Sequence, residues 1–128
     1  MFDHVEIKVV CFDDCRRFYE TVLVPLLIEL KWADKDAAGF GRLGQDKVGF
    51  LIERGEPGAP CHLAFTASSA AQVDEFYQVG VRAGFACNGQ PGLRPHYAPN
   101  YYAAFLRDPD GNNIEVLAYL ESPGMASP

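Results

Sequence analysis

The sequence predicts an α+β fold in which one βαβββ unit occurs twice. Three observations carry this. Segments of period two, the mark of strands, and stretches of helical period follow one another in the same order in each half of the chain. His4 and His62 open corresponding strands, and Phe18-Tyr19 follow the first at the same offset as Phe76-Tyr77 follow the second. A stretch with Pro, Gly and no periodicity, "GEPGAP" from Gly55 to Pro60, separates the halves. The expected boundaries are a first module to about residue 55, a second over about 60–120 and a tail over 121–128, within one domain of 128 residues.

"HVEIKVV", His4 to Val10, alternates, with Val5, Ile7 and Val9 on one face and His4, Glu6 and Lys8 on the other. In "FDDCRRFYETVL" Phe18, Val22 and Leu23 recur at helical spacing, Asp13 or Asp14 can cap, and Pro25 stops the helix. "LLIELKWA", "AGFGRLG" and "KVGFLIER" read as three strands, with Gly44 to Asp46 turning between the last two. In the second half "CHLAFTA" is a strand. "SSAAQVDEFYQVGVRAG" is a helix with a Ser cap, Val73, Phe76, Tyr77 and Val81 on its inner side, and Gly84 at its end. "FACNG" is a short strand, and Gln90 to Asn100, with three prolines, reads as a loop. "YYAAFLR" and "NNIEVLAY" are strands joined by "DPDG", where Gly111 can take positive φ. The tail "ESPGMASP" reads as frayed.

Net charge is −6 and no Lys/Arg-rich run exists, so nucleic acid and anionic membrane are poor partners. No segment has the length and apolarity of a membrane span, and the start "MFDHVEIKVV" is not a signal peptide. The four cysteines, Cys11, Cys15, Cys61 and Cys87, form no CxxC pair and read as small buried hydrophobes in a cytoplasmic protein. Asp108, Asp110 and Asn112 superficially match a calcium loop, but no Glu closes the frame, so the segment is a hairpin turn.

Three residues stand out: His4, His62 and Glu115. Each lies on a strand with an apolar face, and the duplication gives the two histidines equivalent places. A buried carboxylate is costly unless paired. Two imidazoles and one carboxylate suit one divalent ion, Zn, Ni, Mn, Co or Fe(II), with open positions left for a substrate. A lone strand histidine is more often a hydrogen-bonded core or surface residue, and a lone Glu on a last strand more often faces water.

"HVEIKV", "FYETVL", "CHLAF" and above all "YYAAFLRDPDGNNIEVL" resemble the vicinal oxygen chelate superfamily, from His4 to about Leu120. That group includes glyoxalase I, extradiol dioxygenases, fosfomycin-modifying enzymes and bleomycin-binding proteins. The resemblance implies curled mixed sheets around a cleft and metal ligands at His4, His62 and Glu115. It also implies a homodimer, in which modules are often exchanged between chains. Glyoxalase I has a fourth ligand, a Glu on the last strand of its first module. Here the matching stretch is "KVGFLIERG", with Gly49 or Phe50 opposite Glu115 and Glu53 further on, so that ligand is missing. The threonine that the fosfomycin group carries two residues after its first histidine is replaced by Glu6, and the chain is shorter than two-domain extradiol dioxygenases.

The segment Gln90–Asn100 is expected to overhang the cleft. His96 and Tyr102 are candidate catalytic groups, His96 as an acid or base near neutral pH. Arg94, Tyr97, Tyr101, Phe50 and Trp32 are candidate substrate contacts, Arg94 for an anionic group. Solvated loop residues and packed tyrosines are the plainer reading. The expected function is a metal-dependent enzyme acting on a small oxygen-rich substrate. The alternative is a metal-free small-molecule (drug) binding protein of the bleomycin-resistance type.

Overall fold

The computed structural model describes residues 1–121. The expected fraying of the tail falls almost wholly on residues 122–128, outside the described residues. The order is β1 (Val5–Val9), α1 (Phe12–Val22), a single 3-10 turn (Val24–Leu26), β2 (Ile28–Ala33), β3 (Ala37–Arg42) and β4 (Phe50–Arg54). The second unit repeats it with β5 (His62–Thr66), α2 (Ala70–Arg82), β6 (Ala86–Leu93), β7 (Tyr101–Arg107) and β8 (Asn113–Tyr119). Two four-stranded mixed sheets result, ordered β1-β4-β3-β2 and β5-β8-β7-β6. In each, the first strand runs parallel to the last and the other pairs are antiparallel.

The period-two segments do what alternation requires. In β1, Val5, Ile7 and Val9 turn inward while Glu6 and Lys8 stay exposed. On α1, Phe18, Tyr19, Val22 and Leu23 are fully buried. On α2, Val73 and Phe76 are buried, but Val81 is exposed; Gly80 faces inward instead, where a Cβ would collide with the Leu106 side chain. One continuous buried cluster unites α1, α2 and the inner faces of both sheets, with Phe50 of β4 edge-on to Phe65 of β5 at 5.5 Å. The helix faces of both sheets are therefore consumed, and each sheet keeps one free face. Of the cysteines, Cys15 is buried and Cys61 half-buried, whereas Cys11 and Cys87 are exposed; all four are free thiols.

Two local expectations are corrected. Neither Asp13 nor Asp14 caps α1: Cys11 is the cap residue and makes no side-chain cap bond. The acceptor comes from the other module. Asp110 takes the backbone N–H groups of Val10 at 2.6 Å and Cys11 at 2.9 Å, which places a carboxylate at the positive end of the helix dipole. The second correction concerns Gln90–Leu93, read as loop but part of β6. Prolines argue against strands because they lack a donor. Pro91 is tolerated because β6 is the sheet edge and its ladder is irregular between Gly89 and Gly92.

The "DPDG" turn is as expected at Gly111, with φ at +87°. Its acids do more than turn the chain. Asp108, 3% exposed, accepts from the backbone N–H groups of Asp110 and Asn112, from the Asn112 side-chain amide, and from the Tyr19 hydroxyl at 2.6 Å. Asn112 in turn accepts the Cys61 N–H at 2.8 Å, and the Asn113 N–H donates to the Cys61 carbonyl. One turn thus ties α1, β5 and β8 together.

Two outcomes are expected. Tyr19→Phe leaves a buried carboxylate short of a donor and should cost about 1–3 kcal/mol in chemical denaturation. Burial, and then the adjacent Asp108, hold the Tyr19 hydroxyl well above its ordinary value of 10. The unfolded chain loses that proton near pH 10 and the folded chain keeps it. Stability that is fully present below pH 10 should therefore fall above it, at about 1.4 kcal/mol per pH unit for this group. In Tyr19→Phe the alkaline slope should be shallower by one proton.

Candidate functional site

Parallel register places His62 opposite Asn113 and Ala64 opposite Glu115. With period two, His62, Ala64 and Glu115 share the free face of the second sheet, and His62 lies diagonal to Glu115. The two meet: His62 Nε2 is 2.8 Å from Glu115 Oε1. The imidazole is half exposed, whereas the carboxylate side chain is 3% exposed. The second oxygen of Glu115 accepts a short hydrogen bond from the Tyr101 hydroxyl. Burial, and then Glu115, push the Tyr101 phenol well above its ordinary range. It therefore stays a donor throughout the neutral range.

The surroundings are aromatic. Phe105 lies opposite Glu115 in the ladder and its ring is 6.3 Å from that of His62. Tyr101 is flanked by Tyr119 at 5.4 Å and Tyr97 at 5.0 Å, and His96 stacks on Tyr97 at 4.3 Å. The Arg94 guanidinium reaches back to the Gln90 carbonyl at 2.7 Å and lies 5.4 Å over the Phe105 ring. Asn113, next to His62 across the ladder, is held by the Asn88 amide at 2.9 Å.

Among the proposed site residues the fold brings together His62, Glu115, Tyr101, Tyr97 and Arg94, with His96 at the outer end of the ring chain. It does not bring in the others. Tyr102 alternates with Tyr101 and so points to the helix side, where its hydroxyl donates to Asp74 at 2.6 Å. That bond, then burial, pushes its phenol up to about 12. Phe50 belongs to the shared core and is 5% exposed. Trp32 covers Gly39 on the free face of the first sheet. His4 precedes β1 on that same first sheet, exposed, with Nδ1 2.7 Å from Asp3. Near it, Lys8 bridges Glu6 at 3.3 Å and Glu53 at 2.8 Å. Among the described residues no cluster of three or more His, Cys, Asp or Glu side chains is placed to hold a metal.

The His62–Glu115 pair nevertheless suits a divalent ion as two of its ligands. An imidazole nitrogen and a carboxylate oxygen are ligand types that such an ion takes, and their separation here is that of a hydrogen bond. The carboxylate is buried and the imidazole is open, so the pair has one accessible side. In the first module the ladder position equivalent to Glu115 is Leu51, which lies opposite Glu6 as Glu115 lies opposite Ala64. That corrects the expected Gly49 or Phe50, and the leucine side chain there offers no ligand atom. Sequence reading missed Phe105, Tyr119 and Asn113, although alternation along β7 and β8 assigns all three to the face of Glu115.

The model of the Glyoxalase/Bleomycin resistance protein/Dioxygenase superfamily matches residues 1–116. The chain belongs to that superfamily. A glyoxalase/bleomycin resistance protein from Albidiferax ferrireducens T118 is 32% identical, with a TM-score of 0.75 and coverage of 92% of this chain and 98% of that one. Lactoylglutathione lyase from Agrobacterium tumefaciens, 19% identical, has a TM-score of 0.69 over 92% of both chains. The fosfomycin resistance protein FosX from Mesorhizobium loti, 19% identical, has a TM-score of 0.66 over 97% of this chain and 94% of that one. These last two likenesses are likenesses of fold. No curated protein matches the chain. No helix among the described residues is long and apolar enough to cross a membrane.

Glu115 is inside because two donors meet it, and removing either should show. Tyr101→Phe should lower stability by about 1–3 kcal/mol, since a buried acceptor loses its partner. His62→Ala should cost less, because the ring is half exposed and water can take its place. Urea denaturation of both variants checks the order.

Proposed function

We propose that this chain is a metal-dependent enzyme acting on a small oxygen-rich substrate, working in the cytoplasm as a homodimer. Its ligands are His62 and Glu115 of one subunit with His4 of the other. The observation that carries the reading is the buried Glu115 carboxylate, whose Oε1 lies 2.8 Å from Nε2 of a half-exposed imidazole. The interchain arrangement is supported by the shared helical core: it takes up the inner faces of both sheets and leaves His4 and Glu115 on free faces of different sheets.

The bound ion would supply Lewis acidity toward adjacent oxygens of the substrate. The chain's own residues do the rest. Tyr101 holds Glu115 Oε2, which leaves Oε1 beside His62. Tyr97, Tyr101 and Tyr119 pack ring against ring beside the pair and offer a substrate an aromatic surface. Arg94, fixed over Phe105, offers a cation to an anionic group on the substrate. His96, packed on Tyr97, is the candidate acid–base group. With Leu51 at the fourth position the ligand set has three members, unlike the four of glyoxalase I, so an ordinary glyoxalase I reaction is disfavoured.

A second reading, a metal-free small-molecule (drug) binding protein of the bleomycin-resistance type, is favoured by one observation. Both oxygens of Glu115 already have partners within the chain, so its burial is satisfied without a cation.

Protein purified without chelator or polyhistidine tag should carry about one divalent ion per chain by elemental analysis. His62→Ala and Glu115→Ala should each lose it. Mixing the His4→Ala chain with the Glu115→Ala chain tests the pairing: one intact site per mixed dimer should bind metal. A mixture that binds none, with wild type metal-loaded, would assign the whole site to one chain. Wild type free of metal that still binds small molecules in chelator would favour the second reading.

A further inference from the structure

One cavity lies away from His62 and Glu115. It holds about 410 Å³ and lies where the ends of β3 and β4 meet β5, on the helix side of the sheets. We propose that it is a second ligand site, selective for small aromatic carboxylates, with Arg42 as the anion-binding group. None of the residues that the fold gathers around His62 and Glu115 lines it; Asp3 at its mouth is the partner of His4.

The floor is apolar and largely aromatic: Ile28, Phe40, Phe50 and Phe65. Phe50 and Phe65 stand edge to face at 5.5 Å, and Phe40 and Phe50 lie 6.0 Å apart at 34°. Rings in these relative orientations offer both faces and edges, the two surfaces that a planar guest ring packs against. The volume falls at the lower end of the range for small-molecule sites, which are mostly apolar with a few polar groups that fix orientation. The rings come from both modules, Phe40 and Phe50 from the first and Phe65 from the second, so the walls are set by the rigid junction and not by a loop.

The mouth is polar and exposed: Asp3, Arg42, Gln45 and Lys47. Lys47 is paired with Asp3, so its charge is answered. The Arg42 carbonyl accepts the Gln45 N–H, but its guanidinium makes no hydrogen bond, ion pair or ring contact among the described residues. A chain of net charge −6 thus carries, at the entrance to an aromatic cavity, a guanidinium with no partner among the described residues. A guanidinium takes a carboxylate through two parallel N–H···O bonds. With an apolar ring below and a cation above, the matching guest is a ring bearing an acid on a short arm.

Calorimetric titration with phenylacetate, phenylacetamide and acetate tests this, with all titrations repeated in chelator. Phenylacetate should bind once per chain, at least tenfold more tightly than phenylacetamide, and acetate should not bind. Arg42→Gln, at an exposed side chain with no contacts to lose, should weaken phenylacetate at least tenfold. Ile28→Trp, its fold checked by circular dichroism, should abolish binding by filling the space. His62→Ala, Tyr101→Phe and chelator should leave the affinity unchanged. Because these arms do not depend on metal, failure of the His62–Glu115 reading would leave them intact. Absence of saturable phenylacetate binding would overturn the proposal, as would its loss in His62→Ala but not in Arg42→Gln.

Discussion

The turn from Asp108 to Asn112 is the constraint on which the rest hangs. Asp108 is a buried acid, and a buried acid is tolerable only when its lone pairs are filled. Here backbone N–H groups, the Asn112 amide and the Tyr19 hydroxyl fill them. Two residues on, Asp110 closes the start of α1 in the other module. The first donation builds the turn and the next docks it against a helix distant in sequence. Because the same turn starts β8, it also sets the register that puts Glu115 opposite Ala64 and diagonal to His62. The geometry of the candidate site is inherited from this motif.

A second consequence follows from where the helices lie. Both helices and the inner faces of both sheets share one core, with Phe18 of α1 packed on Phe85 beyond α2 at 4.9 Å. Apart from the Asp108–Asn112 turn and the Tyr102–Asp74 pair, the sheets' polar side chains stand on the free faces. On the first these are His4, Glu6, Lys8 and Glu53; on the second, His62, Asn113 and Glu115. Each face alone is half of a cleft. The second half is the better prepared one, since its carboxylate is already desolvated and held at both oxygens.

Much of this was legible in the chain. Alternation along "HVEIKVV" assigned the faces of β1 correctly, and the Ser69 cap and Gly84 stop bracket α2 where the spacing put them. The repeat assigned equivalent places to His4 and His62. Other features are non-local and leave no local trace. A carboxylate from Asp110 capping α1 is a contact between residues far apart in sequence, so the near acids Asp13 and Asp14 drew the assignment. Pro91 and Gly92 made the second half of β6 read as loop, because propensity speaks of central strands and β6 is an edge. Tyr102 is different: period two along "YYAAFLR" places it opposite in facing to Tyr101, and the signal was present but not applied. The absence of His4 from the His62–Glu115 pair within one chain depends on which faces the shared core consumes, which no spacing encodes.

The central claim is that Glu115 and His62 are two ligands of a metal site completed by a second copy of the chain. Anomalous diffraction from crystals grown with manganese or zinc tests it most directly. The account predicts one peak bound by Glu115 Oε1 and His62 Nε2 of one subunit and by His4 of another. Crystals soaked to saturation that show no peak there, with the Tyr101–Glu115–His62 contacts unchanged, would contradict it.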